Sequence, residues 1–174
     1  MAQASPQLQT SSLPLSAGQT VLQCDCDAVG VLVLDGHRRL IAVREIAKGE
    51  RVFYLEGHET AVPTRYSVQV GEGLHIDQGD ATDEFDVVRR YYWRFLDHAC
   101  EPSARIVGRE LFAVRDIAAG EAVTFHYCTT EWDMASPFAC HCGSPRCLGT
   151  VRGAKHLPAD ERRRLAKWMA DYLK

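Results

Sequence analysis

The chain has 174 residues, of which 46 % are hydrophobic and 25 % charged, a composition that excludes a wholly disordered chain. A net charge of −3 and a pI of about 6.2 argue against a domain built to wrap nucleic acid, so direct nucleic-acid binding is not expected. The sequence has no apolar run of the roughly 20 residues that cross a bilayer, and it begins without the basic and apolar parts of a secretory signal. We therefore expect a cytoplasmic, reducing location, or a nuclear one in a eukaryotic source. Seven cysteines in such a location favour metal ligands or reactive thiols over disulfides.

The first twenty residues differ in composition from the rest of the chain. Residues 1–20 carry no charged side chain and are rich in Ser, Gln, Thr and Pro, which predicts a disordered tail. From Val29 onward, short runs of β-branched and aromatic residues are separated by glycine turns, which predicts a β-rich domain. The predicted strands are 29–34, 40–44, 52–55, 66–70, 105–107, 111–114 and 122–127.

One internal repeat is visible. Residues 42–50 read AVREIAKGE and residues 113–121 read AVRDIAAGE, and a further β-like run follows each copy. Two copies are too few for a solenoid, which needs at least three. The repeat therefore predicts a pseudo-symmetric β-domain, although two similar hairpins that converged on the same turn chemistry would give the same pattern.

Two stretches show helical periodicity. Over residues 82–99, large apolar side chains recur three and four positions apart, and Thr82 or Asp83 is placed to cap the first turn. A second stripe near the C-terminus follows Pro158, a residue suited to a first helical turn. In that helix the arginines 162–164 are expected to face solvent. The two stripes are Phe85, Val88, Tyr92, Phe95 and Leu96, and then Leu165, Trp168, Met169 and Tyr172.

The strongest local signal is the segment 140–147, Cys-His-Cys-Gly-Ser-Pro-Arg-Cys. Its three thiolates can bind one metal ion because the Gly-Ser-Pro turn folds the chain back, and a structural zinc site needs four ligands. The spacing alone leaves the fourth ligand open, since the ring of His141 is expected to point outward. Cys24 and Cys26 form a weaker pair, for which a metal is the less favoured interpretation, and Cys128 is expected to be a buried thiol.

Four segments, in this order, resemble motifs of the SET-domain protein lysine methyltransferases. Residues 40–57 (LIAVREIAKGERVFYLEG) are similar to LFAxRDIxKGExVxxYxG, and residues 94–100 (RFLDHAC) to RFxNHSC. Residues 120–127 (GEAVTFHY) are similar to GEELTFDY, and the cysteine segment to the post-SET pattern CxCGxxxCRG. The resemblance covers roughly residues 37–153. The chain is therefore identified as a member of this family, of the small, single-domain type with a post-SET zinc-binding segment.

The resemblance implies a fold and a domain organisation. The fold would be mostly β, a β-rich α+β SET fold of short sheets, with knot-like threading of RFLDHAC beside the segment that ends at Tyr127. The SET domain would occupy residues 21–136 and the post-SET zinc segment residues 137–153. Residues 154–174 would form a closing amphipathic helix.

The resemblance also implies the site residues and the cofactors. Tyr127 matches the family's catalytic tyrosine, whose hydroxyl would orient the amine that receives the methyl group. S-adenosylmethionine would be the methyl donor, and one structural zinc ion would be bound by four cysteines, with Cys100 as the fourth ligand. The implied donor contacts are Arg38, Arg39, Leu40, Tyr66, Asp97 and His98. The implied zinc ligands are Cys100, Cys140, Cys142 and Cys147.

The sequence departs from the family pattern at several positions. His37 and Arg39 stand where relatives have the two glycines of a GxG pair, and a bulky residue resists the close backbone approach that glycine permits. Asp97 replaces an asparagine, and an ionised carboxylate only accepts hydrogen bonds. His126 replaces an aspartate and is expected to be a packed or surface histidine, and Ser103 replaces a second asparagine.

These features lead to one main functional hypothesis. We expect a methyltransferase that acts on an amine, most simply a lysine side chain of a protein or peptide. The acidic stretch 77–86 would favour a basic partner if it lined the substrate groove, but a solvated loop is its favoured interpretation. Tyr66, Tyr91, Tyr92 and Trp93 could line a channel for the lysine stem, although most are expected in the core. The alternatives are an inactive binding module of the same fold and a methyltransferase for a small-molecule amine.

Overall fold

The computed structural model describes Leu13 and residues 15–174. Most of the predicted tail, residues 1–20, lies outside the described residues, so its disorder stays a prediction. Thr20 opens a strand that pairs with the next one along the chain, and the Val21 side chain is buried. Within the described part of the chain, no helix has the length and apolar character required to span a membrane.

The secondary structure consists of thirteen short strands and two short α-helices among the described residues. The helices are α1 (Glu84–Arg90) and α2 (Ala159–Leu165). The strands are β1 (Thr20–Gln23), β2 (Val29–Leu34), β3 (His37–Ala42), β4 (Arg51–Tyr54), β5 (His58–Thr60), β6 (Val68–Gly71), β7 (Leu74–Asp77), β8 (Asp97–His98), β9 (Ala104–Val107), β10 (Glu110–Ala113), β11 (Thr124–Phe125), β12 (Phe138–Ala139) and β13 (Thr150–Val151).

These strands form five small sheets. Three sheets have three strands each, in the orders β1-β2-β3, β4-β10-β9 and β5-β7-β6. The other two are the antiparallel pair β12-β13 and the parallel pair β8-β11. The parallel pair joins Asp97 to Thr124 and His98 to Phe125, so the RFLDHAC segment lies beside the segment that ends at Tyr127. The predicted mostly β fold is confirmed.

The two copies of the internal repeat pair with each other about a local pseudo-twofold axis. Ile46 and Ile117, which are equivalent positions, exchange both backbone hydrogen bonds, at 3.0 and 2.9 Å. The Ala42 amide donates to the Glu121 carbonyl, and the equivalent Ala113 amide donates to the Glu50 carbonyl. The repeat is therefore a pair of symmetry-related turns that are largely exposed, with Ile46 and Ile117 buried between them, which agrees with the pseudo-symmetry predicted from the sequence.

The prediction of one helix over residues 82–99 is wrong in its second half. Asp83 caps α1 as expected, since its side chain accepts a hydrogen bond from the Asp86 amide at 2.8 Å. The helix ends at Arg90 with Tyr91 as its C-cap, and a 3₁₀ turn at Tyr92–Phe95 leads into β8. Tyr91, Tyr92 and Trp93 are all buried, and an α-helix cannot present three successive residues to one core face.

The C-terminal region is a short helix between two 3₁₀ turns, Ala154–His156 and Asp171–Leu173, rather than one long helix. Its apolar stripe packs as a separate small core that includes Leu165 and Met169. Two of the arginines predicted to face solvent instead bind the backbone. Arg162 donates to the carbonyls of Ala154 and Leu173, and Arg164 donates to the Cys100 carbonyl at 3.1 Å. This segment is therefore attached directly to the region of the cysteines.

Candidate active site and metal centre

The parallel pair of β8 and β11 forms one wall of a cavity of about 1020 Å³. The turn before β3, the segment 64–68, and the segment 134–142 before and within the cysteine cluster complete its lining. The cavity therefore collects residues from three of the four motif segments, 94–100, 120–127 and the cysteine segment, whereas the segment 40–57 contributes none. A volume of this size is at the upper end of the range for cofactor and ligand sites.

Tyr127 is fixed at the base of this cavity. Its hydroxyl donates a hydrogen bond to the Leu96 carbonyl at 2.6 Å, and its amide donates to His98 Nδ1 at 3.2 Å. Burial raises the pKa of Tyr127, and the negative charges of Asp97 and Glu131 act in the same direction. The phenol therefore stays protonated at neutral pH, and its oxygen can still accept a hydrogen bond from a ligand.

Arginine side chains line one side of the cavity. Arg39 Nε lies 3.6 Å from Asp97 Oδ2, and Arg38 is paired with Glu84. The Arg94 guanidinium lies over the Tyr66 ring, 4.3 Å from its centroid. Buried Nε atoms of Arg38 and Arg94 have no hydrogen-bond partner. Buried donors of this kind are normally satisfied, and a carboxylate is the acceptor with which a guanidinium group pairs best.

The conformation of β3 explains how bulky side chains are tolerated at the positions where relatives have the GxG pair. Asp35 and Gly36 form a two-residue turn with positive φ values of 49° and 77°, which joins β2 to β3. A primed hairpin turn of this kind matches the twist of the flanking strands. His37 and Arg39 then lie in a regular strand, where no positive φ is required of them.

The other predicted donor residues divide into two groups. Arg38, Arg39, Tyr66, Asp97 and His98 all line the cavity. Leu40 does not, because its side chain is fully buried in the main core.

Only some of the aromatic and acidic residues that were predicted to lie near the substrate line the cavity. Tyr66 and Trp93 line the cavity, whereas Tyr91 and Tyr92 belong to the core. The acidic stretch 77–86 lies outside the cavity lining, and two of its carboxylates, those of residues 80 and 86, pair with Arg90. This arrangement is that of a solvated loop.

Four cysteines converge beside the cavity. The thiol sulfurs of Cys100, Cys140, Cys142 and Cys147 all lie within 4.8 Å of one another. Tetrahedral zinc with bonds of about 2.3 Å requires four sulfurs at such separations, so the donor set fits this metal. The Leu148 amide donates to the Cys100 sulfur at 3.4 Å, which is the type of bond that stabilises a thiolate. Cys24 and Cys26 lie apart from this cluster, in and against the main core.

His98 connects the cysteine cluster to Tyr127. Its Nδ1 accepts the Tyr127 amide hydrogen, so the ring proton is on Nε2, which lies 3.3 Å from the Cys100 sulfur and donates to it. Burial lowers the pKa of His98 to about 4, which keeps the ring neutral at physiological pH. His126 packs edge-on against this ring, fully buried, and its nitrogens have no hydrogen-bond partner. His126 is thus a packed histidine, as expected.

Comparison with known proteins identifies the family. Residues 37–128, which include the parallel strand pair and Tyr127, match the SET domain family. The chain belongs to this family. It is 37 % identical over 109 residues to the methyltransferase flvH of Aspergillus flavus, a match that covers 58 % of this chain and 54 % of flvH. It is 31 % identical over 137 residues to human histone-lysine N-methyltransferase 2B, which covers 70 % of this chain and 5 % of that protein.

Among solved structures, the methyltransferase domain of human SETMAR matches 70 % of this SET chain and 56 % of its own length. The TM-score is 0.50 and the sequence identity 18 %, so this likeness concerns the fold alone. The chain spans about half the length of flvH and a small part of the histone-lysine methyltransferases that it matches.

Several residues of the cavity wall were not predicted from the sequence, and Glu131 is the ionisable one that is most deeply buried. Glu131 is 8 % exposed, and its carboxylate accepts a hydrogen bond from the Gln69 amide at 2.7 Å. No motif includes this position, and its neighbours Thr130 and Trp132 gave no sign of burial. The signal available was only its distance of four residues from Tyr127, which places it at the end of the same turn.

Proposed function

We propose that this SET domain transfers a methyl group from S-adenosylmethionine to an amine, most simply the side chain of a protein lysine. The observation that carries the proposal is the position of Tyr127. Its hydroxyl is fixed on the Leu96 carbonyl at the parallel strand pair, inside a cavity large enough for a donor and an acceptor. The names of relatives as histone-lysine methyltransferases support a lysine acceptor.

The residues on the arginine side of the cavity fit the chemistry of the donor. The unpartnered Nε atoms of Arg38 and Arg94 are suited to a carboxylate, and Asp97 can accept hydrogen bonds from amino or hydroxyl groups. The Tyr66 and Phe138 rings can pack against an adenine. When bound, the donor would supply an electrophilic methyl group on a sulfonium sulfur.

The protein's own contribution to the reaction would be to orient the amine and exclude water. The Tyr127 hydroxyl and the Leu96 carbonyl would place the amine nitrogen in line with the methyl carbon, and such positioning can supply several kcal/mol of the barrier reduction. Zinc bound by the four cysteines would hold the segment 138–148 over the cavity. Zinc loss should therefore weaken donor binding as well as stability.

The test begins with binding, because it requires no acceptor. Calorimetric titration of the zinc-loaded protein with S-adenosylmethionine and with S-adenosylhomocysteine should give dissociation constants in the micromolar range, roughly −8 kcal/mol. Transfer of radiolabelled methyl groups to histones and to polylysine would then identify the acceptor class. Absence of donor binding by folded, zinc-loaded protein would contradict the proposal and leave a SET-fold binding module.

A further inference from the structure

The carboxyl group of Glu131 is held at the cavity wall by two chain segments. The Glu131 amide donates to the Tyr127 carbonyl at 2.9 Å, so the residue follows directly from the turn that carries the proposed catalytic hydroxyl. Its Oε1 accepts the Gln69 amide hydrogen from β6, and the Gln69 side-chain oxygen in turn accepts the Trp132 amide hydrogen at 2.8 Å. The Tyr172 hydroxyl donates to the Gln69 carbonyl at 2.7 Å and braces the same strand. The carboxyl group is therefore built into the site and is not a mobile surface group.

This buried carboxylate has no cationic partner among the residues that the structure describes. Of the ion pairs formed within residues 15–174, none includes Glu131, and the groups that act on it are the Gln69 amide and the Thr130 hydroxyl. Glu131 affects the pKa values of three titratable groups, those of Tyr127, Tyr172 and Cys128. Each is neutral when protonated and negative when ionised, so none of them supplies a positive charge. A buried carboxylate without a counter-ion is unfavourable, and such groups are normally paired.

Four arginines line the cavity, and none of them is paired with Glu131. The guanidinium groups of Arg65 and Arg94 lie over the Tyr66 ring, 5.7 and 4.3 Å from its centroid. Arg38 is paired with Glu84 and Arg39 with Asp97, on the donor side of the cavity. Burial raises the pKa of Glu131 to about 7, so the carboxyl group exchanges a proton at physiological pH. A cation that entered the cavity from solvent would supply the missing charge.

We propose that Glu131 is the anionic subsite that receives the ammonium group of the methyl acceptor and takes its proton. This inference rests on the proposed function, and it specifies the acceptor as a primary or secondary amine that arrives protonated. An N–H bond of the ammonium breaks and leaves its electron pair on nitrogen, while an O–H bond forms on the Glu131 carboxylate. The products are a neutral amine, whose free pair is required for attack on a methyl carbon, and a protonated Glu131.

The protonation of Glu131 can be followed directly. Zinc-loaded protein labelled with carbon-13 at the glutamate carboxyl carbons is titrated by NMR, and the Glu131 resonance is assigned by its absence from the spectrum of Glu131→Gln. The probe is n-butylammonium chloride, which mimics the end of a lysine side chain, and n-butanol is its neutral control. We expect butylammonium to lower the Glu131 midpoint by about half a unit or more, because an adjacent cation favours the carboxylate, and butanol to leave it unchanged. Equal responses to the two probes, or no response to either, would overturn the inference.

A variant pair gives a second measurement. Glu131→Gln keeps an oxygen for the Gln69 amide but removes the charge, so it should weaken butylammonium binding about tenfold at pH 8. Glu72→Gln alters an exposed carboxylate outside the cavity and should leave binding unchanged. Equal butylammonium affinities of wild type and Glu131→Gln would contradict the proposal.

Failure of this inference is distinguishable from failure of the proposed function. The NMR titration needs neither donor nor turnover, whereas the calorimetric titration reports only on the donor. Donor binding and methyl transfer without a Glu131 response would leave the proposed function intact and exclude the subsite. A butylammonium response without donor binding would retain the cation subsite and exclude the methyltransferase.

Discussion

Arg39 and Asp97 form an ion pair across the donor side of the cavity, with Arg39 Nε 3.6 Å from Asp97 Oδ2. These residues occupy two of the positions at which the chain departs from the SET family pattern, one in place of a glycine and the other in place of an asparagine. Both side chains are about half exposed, so the pair contributes roughly 0–1 kcal/mol to stability. The positive charge of Arg39 thus balances the negative charge of Asp97. We therefore expect the two departures to alter ligand binding more than the stability of the fold.

The ion pair leads to a prediction about charge. Asp97→Asn would leave the Arg39 guanidinium unbalanced near a donor that carries a sulfonium cation. We expect the affinity for S-adenosylmethionine to fall by about threefold to tenfold more than the affinity for the uncharged S-adenosylhomocysteine. Calorimetry with both ligands measures the difference, and adding Arg39→Met to the variant should restore the ratio. If Asp97→Asn weakens both ligands equally, Asp97 acts through a hydrogen bond and not through its charge.

Tyr127 gives a prediction about turnover. Tyr127→Phe removes the hydroxyl that lies on the Leu96 carbonyl, and we expect methyl transfer to slow by about a hundredfold or more while donor affinity changes less than about threefold. The control is Tyr54→Phe, which alters an exposed ring outside the cavity, over which the Arg109 guanidinium lies. Single-turnover rates and calorimetric affinities should be measured on the same preparations. An unchanged rate would remove the hydroxyl from the proposed mechanism.

The sequence allowed the strands and the motif residues to be predicted because their signals are local. The repeat of residues 42–50 and 113–121 is an example, since each copy has its own glycine turn and the two pair about a pseudo-twofold axis. Strand β11 lies within the predicted strand 122–127, but the two-residue strand β8 and the break in the helix at Tyr91 were not predictable in this way. They depend on long-range pairing and on the burial of three consecutive aromatic residues, which local periodicity does not encode.

The residues of the site were likewise predictable only where a motif includes them. The four cysteines and Tyr127 are recognisable from motifs, but Leu40 was assigned to the donor by its position in a motif and lies in the core. Glu131 was missed because its burial results from Gln69, which is 62 positions away in the sequence. A glutamate between polar residues is predicted to lie at the surface unless its distant hydrogen-bond partner is known.

The bond from His98 to Cys100 predicts a link between zinc and the active site. His98→Ala removes a donor to the Cys100 sulfur, one of the four expected zinc ligands, and also the acceptor of the Tyr127 amide. We expect zinc affinity to fall by about tenfold to a hundredfold, as for other residues that hydrogen-bond metal ligands. Competition with a coloured zinc chelator measures the affinity. The matched control is His141→Ala, an exposed histidine between two ligands, and an equal loss in both variants would assign the effect to general disruption of the segment.

Glu131 predicts how the stability of the ligand-free protein depends on pH. Burial raises the folded-state pKa of this carboxyl from the usual 4.5 to about 7, so between these pH values the folded state binds more protons than the unfolded state. The contribution of Glu131 is therefore fully present below about pH 4.5 and is lost as the pH rises through 7, a change on the order of 3 kcal/mol. Glu131→Gln cannot ionise and should not show this loss. The difference in unfolding free energy between variant and wild type, from urea denaturation at pH 5 and pH 8, should thus shift in favour of the variant at the higher pH. A difference that is constant across this range would mean that the carboxyl group titrates normally and is not the uncompensated buried charge described above.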